Sequence, residues 1–208
     1  MPGTMSKTDL STDLRGMLGK SAGSFDIEGR SDLDRLLNTA ALALSRDKPQ
    51  NLSDSLSLVA GQSDYDAPAL IIKAVYSDWG KTALKERMPW EKGFPKTFPT
   101  LNTIKTATGK KIRLTPAPTA AQVVDFGSDY AYYYTASYKI GSKAIDTTVD
   151  ESDRDLLLLR AVIAAMQDLA ASHASVPVSL GKGVVSMAKT GTPAVLAASL
   201  LAQYEAML

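Results

Sequence analysis

The chain has 208 residues, 45% of them apolar and 22% charged, which fits one large or two small globular domains and excludes a three-domain enzyme and a disordered chain. Twenty-three Lys and Arg against 22 Asp and Glu leave a formal charge of +1, so no whole-chain bias marks a binder of nucleic acid or of anionic membranes. The absence of cysteine excludes disulfides, thiolate zinc sites, iron–sulfur clusters and cysteine nucleophiles.

In chain order, residues 1–29 come first. Gly16, Gly19 and Gly23, with Ser21 and Ser24, interrupt a short helix over residues 6–18, and the segment is expected to be a mobile or partner-ordered arm. It lacks the apolar stretch of a secretory signal, so the protein is expected to stay where it is made. Residues 30–49 read as a helix capped by Ser31, with Leu33, Leu36, Leu37, Ala40 and Leu44 on one face and Pro49 as its stop.

Over residues 50–145 the period changes to two. Leu56 and Leu58 alternate with serines, Leu70 to Tyr76 and Lys111 to Thr115 read as strands, and Asp129 to Tyr138 places Tyr130, Tyr132 and Tyr134 on one face. Seven of the ten prolines fall between residues 49 and 118, which predicts many turns, no long helix and a long loop near 79–100. Residues 146–208 return to helical spacing. An acidic start at Asp150 to Asp155 leads into a helix with Leu156, Leu159, Ile163 and Met166, apolar around most of its circumference. Such a helix belongs to a core or a subunit interface. After a glycine-rich connection, Thr192-Pro193 opens a last helix with Leu196, Leu200, Leu201, Tyr204 and Leu208. The expected fold is α+β: a small helical bundle of an N-terminal helix and two C-terminal helices, with an inserted antiparallel β-domain. No stretch approaches the roughly 20 apolar residues of a membrane span, and no membrane partner is expected.

Few motifs carry chemistry. In Gly16-Met17-Leu18-Gly19-Lys20-Ser21 the first glycine stands too near the Gly-Lys-Ser for a phosphate loop. Gly19-Lys20-Ser21-Ala22-Gly23 has the spacing of a nucleophile elbow, and Ser21 with His173, the single histidine, defines one alternative function, a small serine hydrolase. The twenty residues before Ser21 do not read as the buried strand such an elbow needs. The Asp150 to Asp155 cluster reads as a helix start and not as a metal site, and no cofactor is expected.

From Lys81 to Arg113 nine basic residues face only Glu86 and Glu91. Lys81, Lys85, Arg87, Lys92, Lys96, Lys110 and Lys111 interleave with Trp79, Trp90, Phe94 and Phe98, which suits a docking or channel-facing loop. Segment 81–113 as a nucleic-acid-binding module, and as an ordinary solvated loop pinned by tryptophans, are its other readings. Residues 146–208 carry four basic and seven acidic side chains, so the chain is polarised.

The order of these segments resembles the head-to-tail adaptor (head completion or connector) proteins in the neck of tailed bacteriophages. The likeness rests on Leu36-Leu37-Asn38-Thr39-Ala40, Ser45-Arg46-Asp47-Lys48-Pro49, Ile112-Arg113-Leu114-Thr115-Pro116, Tyr134-Thr135-Ala136, Thr147-Thr148-Val149, the acidic start of the helix Asp153 to Ala171, and Leu201-Ala202-Gln203-Tyr204-Glu205. It covers residues 24–208. The loop between Val75 and Thr103 is longer and more basic than the family's pattern, and the N-terminal arm has no counterpart. The resemblance implies a non-enzymatic virion subunit in a ring of about twelve copies under the portal. That ring would extend the channel through which genomic DNA passes without sequence recognition, and would present a platform to a stopper, tail terminator or other neck or tail protein. On this reading Leu200, Tyr204, Met207 and Leu208 of the terminal helix are candidates for docking on a ring neighbour or the portal.

Overall fold

A computed structural model describes residues 5–27, 30–81, 97–172, 177–181 and 190–208. The chain divides into a helical unit, Met1–Pro49 with Tyr138–Leu208, and an inserted unit, Gln50–Ser137. The fold is α+β, with an antiparallel β-domain inserted between helices.

The helical unit opens on α1 (Lys7–Leu18), whose N-cap Ser6 accepts a hydrogen bond from the Asp9 amide at 3.2 Å. Leu10, Leu14, Met17 and Leu18 are buried along one side, which corrects the expected mobile arm. Their spacing of four, seven and eight residues from Leu10 builds an apolar stripe, and its burial outweighs the helix-weakening Gly16. Gly19, with φ of 56°, is the C-cap, so the residue that reads as a breaker terminates the helix at a conformation glycine adopts easily. A 3-10 segment, Gly19–Phe25, follows and buries Ser21, Ala22 and Phe25. Strands β1 (Asp26–Ile27) and β2 (Arg30–Ser31) pair antiparallel, and α2 (Leu33–Asp47) buries Leu33, Leu36, Leu37, Ala40 and Leu44 as its periodicity predicts.

The insert contains β3 (Gln50–Ser57), β4 (Asp64–Asp66), β5 (Ile71–Ser77), β6 (Thr100–Thr106), β7 (Gly109–Thr115), α3 (Ala120–Phe126) and β8 (Asp129–Ala136). Two three-stranded antiparallel sheets result, in the orders β3-β8-β5 and β4-β7-β6. Tyr130, Tyr132 and Tyr134 are buried on one face of β8, the period-two pattern expected of a half-buried strand. They share a core with Leu58, Ile71, Trp79 and Ile112. Helix α3 was not legible from hydrophobic spacing, because none of its residues is buried; a capping box between Thr119 and Gln122 holds it.

The chain re-enters the helical unit at Tyr138, earlier than the predicted boundary at 145, because Tyr138 and Ile140 pack in the helical core. Two 3-10 turns, Ala144–Asp146 and Glu151–Asp153, precede α4 (Arg154–Ala171). Strands β9 (Val178–Ser179) and β10 (Thr190–Gly191) pair antiparallel before α5 (Pro193–Met207). Helix α4 packs against α1, α2 and α5 and buries eleven of its residues. No helix among the described residues is long and apolar enough to cross a membrane.

Candidate functional site

Three of the short motifs meet at the C-terminal end of α2. Ser45 Oγ donates to the Ala41 carbonyl at 2.6 Å and accepts from the Tyr138 amide at 2.8 Å. Lys48 Nζ pairs with Asp153 at 2.7 Å, and the Tyr138 hydroxyl donates to the same carboxylate at 3.3 Å. The Tyr204 hydroxyl donates to Asp47 at 2.9 Å, and the Arg160 guanidinium lies 5.5 Å from the Tyr204 ring centroid. Burial, and then the charge of Asp153, push the Tyr138 hydroxyl up to about 12; burial and the hydrogen bond to Asp47 raise that of Tyr204. Both phenols therefore remain protonated donors at neutral pH, and the cluster is a polar lock that ties α2 to Tyr138, Asp153 and α5.

The lock changes the standing of the terminal-helix candidates. Leu200 and Tyr204, expected as docking residues, are 1% exposed and belong to the subunit's own core. Met207 and Leu208 are 44% and 51% exposed. Leu156, Leu159, Ile163 and Met166, read as core or ring interface, are buried within the single chain and offer no surface to a neighbour. Helix α5 exposes apolar side chains on its other side, at Ala194, Val195, Ala198, Ala202, Ala206 and Met207.

Sequence spacing overstates the basic character of segment 81–113. Arg113 makes a bidentate pair with Asp64 at 2.7 and 2.8 Å, and its guanidinium holds that carboxyl below the usual range. Lys111 faces Asp66 at 3.7 Å, and Lys81 pairs with Asp78 at 2.8 Å. The acids come from β4 and from the segment after β5, outside the window that reads as +7, which is why the charge looks unopposed in one dimension. Trp79 is not a stacking platform: it is buried against Phe98, Phe126 and Tyr130, with Nε1 donating to the Gly127 carbonyl at 3.1 Å. Lys85, Arg87, Trp90, Lys92 and Lys96 lie outside the described residues.

What remains is a groove of about 740 Å³ between β5 and β6, the edge strands of the two sheets. Ile72, Val75 and Ile104 give it apolar walls, and Lys73, Lys105 and Lys110 charge it. Lys110 Nζ also donates to the Ile71 carbonyl. Lys105 belongs to the basic run read from the sequence, whereas Lys73 escaped it, because nothing in the linear pattern announces that β5 and β6, members of different sheets, lie side by side.

The nucleophile alternative fares differently. Ser21 is 7% exposed in a 3-10 segment that continues a helix, so no strand feeds a strained turn beneath it and the geometry of a nucleophile elbow is not formed. His173 lies outside the described residues. Among the described residues no three acidic or imidazole side chains converge as metal ligands. A comparison with protein-family models finds no match for the chain, and a comparison with curated proteins finds none either.

Proposed function

We propose that this chain is a structural subunit of a ring, a head-to-tail adaptor of the tailed-phage neck, present in about twelve copies beneath the portal. It is not an enzyme on this reading. It prolongs the DNA channel without reading sequence and offers a platform to a stopper, tail terminator or other neck or tail protein; its place is the virion, after synthesis in the host cytoplasm.

The observation that carries the reading is α5. Between Pro193 and Leu208 the only charged residue is Glu205; one side of the helix is buried in the core, and the other exposes Ala194, Val195, Ala198, Ala202 and Met207 to solvent. A helix apolar on both sides is one that expects covering on both sides, and the small side chains let a partner backbone approach closely. A freely soluble enzyme gains nothing from such a face, whereas an assembly subunit does.

Two measurements on the purified full-length chain test this. Sedimentation velocity and negative-stain microscopy at high concentration are expected to find annular particles, and mixing with portal-bearing, tailless heads is expected to cap the portal. A monomer at every concentration that leaves the heads uncapped refutes the proposal. Monomeric binding to DNA that weakens steeply with salt favours the nucleic-acid module instead.

A further inference from the structure

The helical unit carries an exposed turn of its own. Ile145 is 90% exposed, yet it sits on a turn fixed from several sides. The Asp146 amide donates to the Lys143 carbonyl and the Thr147 amide to the Ala144 carbonyl, both at 3.1 Å, and the Thr148 amide donates to the Lys139 carbonyl at 2.9 Å. Thr147 Oγ1 donates to the Met5 carbonyl at 2.8 Å and accepts from the Gly141 amide at 3.0 Å. A Cβ on Gly141 would fall 2.3 Å from that of Asp146, so the turn closes directly onto the backbone behind it. One exposed aliphatic side chain is ordinary on a protein surface. This one is held rigidly; on its N-terminal side Lys139 and Lys143 are exposed, and on its C-terminal side the exposed charges are acidic, Asp146, Asp150 and Asp155, with Arg154 engaged by Asp13.

We infer that the groove between β5 and β6 is the socket for this turn in a second copy of the chain: Ile145 enters between Ile72, Val75 and Ile104, while Asp146 and Asp150 meet Lys73, Lys105 and Lys110. The inference rests on the ring proposed above in taking a second copy as the occupant. Charge complementarity selects it, since three of the ten residues lining the groove are lysines and none is acidic. The form of the groove selects a turn over an added strand. The Ala74 amide is already taken by Thr103 Oγ1 at 2.8 Å, the Ile71 carbonyl is taken by Lys110, and β5 carries two register shifts, all of which blunt its edge against strand pairing. Nucleic acid is the weaker match, because aliphatic walls without an aromatic or an arginine provide no stacking surface. Knob and socket are different patches of the same chain. A reciprocal pair would close as a dimer, whereas in the ring proposed above each copy gives a knob to one neighbour and a socket to the other. That is the heterologous contact which closes a ring or propagates a filament, and the fixed turn lowers the ordering cost of forming it.

The cysteine-free chain permits a direct test. In the double variant Ile145→Cys, Val75→Cys, mild oxidation with copper phenanthroline of the concentrated full-length protein is expected to give a covalent ladder beyond the dimer. Each single variant is expected to give dimers at most. Ile145→Asp, with an unchanged circular dichroism spectrum, is expected to weaken self-association at least tenfold by sedimentation. Lys73→Glu with Lys105→Glu should do the same and be rescued by Asp146→Lys with Asp150→Lys. Rings that form without a ladder, and that persist in Ile145→Asp, overturn the contact and leave the ring. A ladder of open chains that never closes supports the contact and refutes the ring. A wild-type chain that stays monomeric without cross-linking overturns the contact. So does loss of duplex-oligonucleotide retention on lysine reversal with self-association untouched, an outcome that assigns the groove to nucleic acid.

Discussion

Replacing Leu14 by alanine asks whether the first 25 residues are an arm or part of the fold. Leu14 is fully buried on α1, which packs against α2 and α4. Truncation removes the equivalent of three methylene groups at about 0.8 kcal/mol each, and the cavity left behind adds to this, so fully buried Leu→Ala changes cost about 3–5 kcal/mol. Partial relaxation of the neighbouring side chains into the cavity places the expectation at the lower end, about 3 kcal/mol. With a urea slope of about 2 kcal/mol per molar, the midpoint should fall by about 1.5 M. Ellipticity at 222 nm follows the helical unit, in which α1, α2, α4 and α5 reside, and is the appropriate signal. A side chain on a mobile arm would change stability by no more than about 0.5 kcal/mol, so a midpoint shift under about 0.3 M refutes the packing of α1.

The polar lock predicts that Lys48→Met, which leaves the Asp153 carboxylate with only Tyr138 among the partners described above, destabilises the helical unit. The expected loss is about 1–2 kcal/mol, kept modest because Lys48 is half exposed; a double-mutant cycle with Asp153→Asn measures the coupling. Tyr138 in the fold holds its proton up to about 12, against about 10 in the unfolded chain. Stability is therefore fully present below about pH 10 and falls as pH rises toward the folded value, because the unfolded state loses its proton first. Urea midpoints at pH 9, 10 and 11 check this, a flat profile refutes it, and Tyr138→Phe should reduce the slope, Tyr204 and the buried tyrosines of β8 keeping their own share. Met207→Ser with Leu208→Ser should leave urea stability within about 0.5 kcal/mol of wild type while weakening attachment to portal-bearing heads. Tyr204→Ala should instead cost about 3 kcal/mol or more, since it empties a core position and leaves Asp47 without its donor.

The fold was readable wherever one face of an element is buried and the other wet. Leu33 to Leu44 kept the helical period, and Tyr130 to Tyr134 kept the period of two, because a one-residue slip would turn either face to water. The short helix over residues 6–18 was legible and stops at Gly19; the misreading of its packing, as part of a mobile arm, has a definite cause. Three glycines and two serines lower the propensity of residues 16–24, yet only Gly16 lies inside α1, at about 1 kcal/mol, while each buried leucine contributes about 2 kcal/mol. Leu10, Leu14, Met17 and Leu18 decide the outcome, and the glycines only set where the helix stops. Helix α3 escaped for the opposite reason: with no buried residue it has no apolar period, and its only written signal is Thr119 three residues before Gln122.

The interaction surfaces were less legible because charge and burial are relations between segments. Arg113, Lys111 and Lys81 looked like an unopposed basic run, but Asp64, Asp66 and Asp78, supplied by strands that pair or turn beside them, answer three of its members. Lys73, in a strand read from its β-rich composition, and Lys105, in the basic run, become one charged socket only when two separate sheets come side by side. The same logic inverts the terminal helix. Tyr204 has the size and chemistry of an interface anchor, but Asp47 lies where its hydroxyl can reach, so the residue is spent inside the subunit. Its neighbours on the opposite side of α5 are alanines and Val195, too small to attract notice one by one. They matter because one helix places them together on an exposed side. In a chain whose motifs build its own core, the surface left for partners is found by asking which apolar and charged groups the fold has not used.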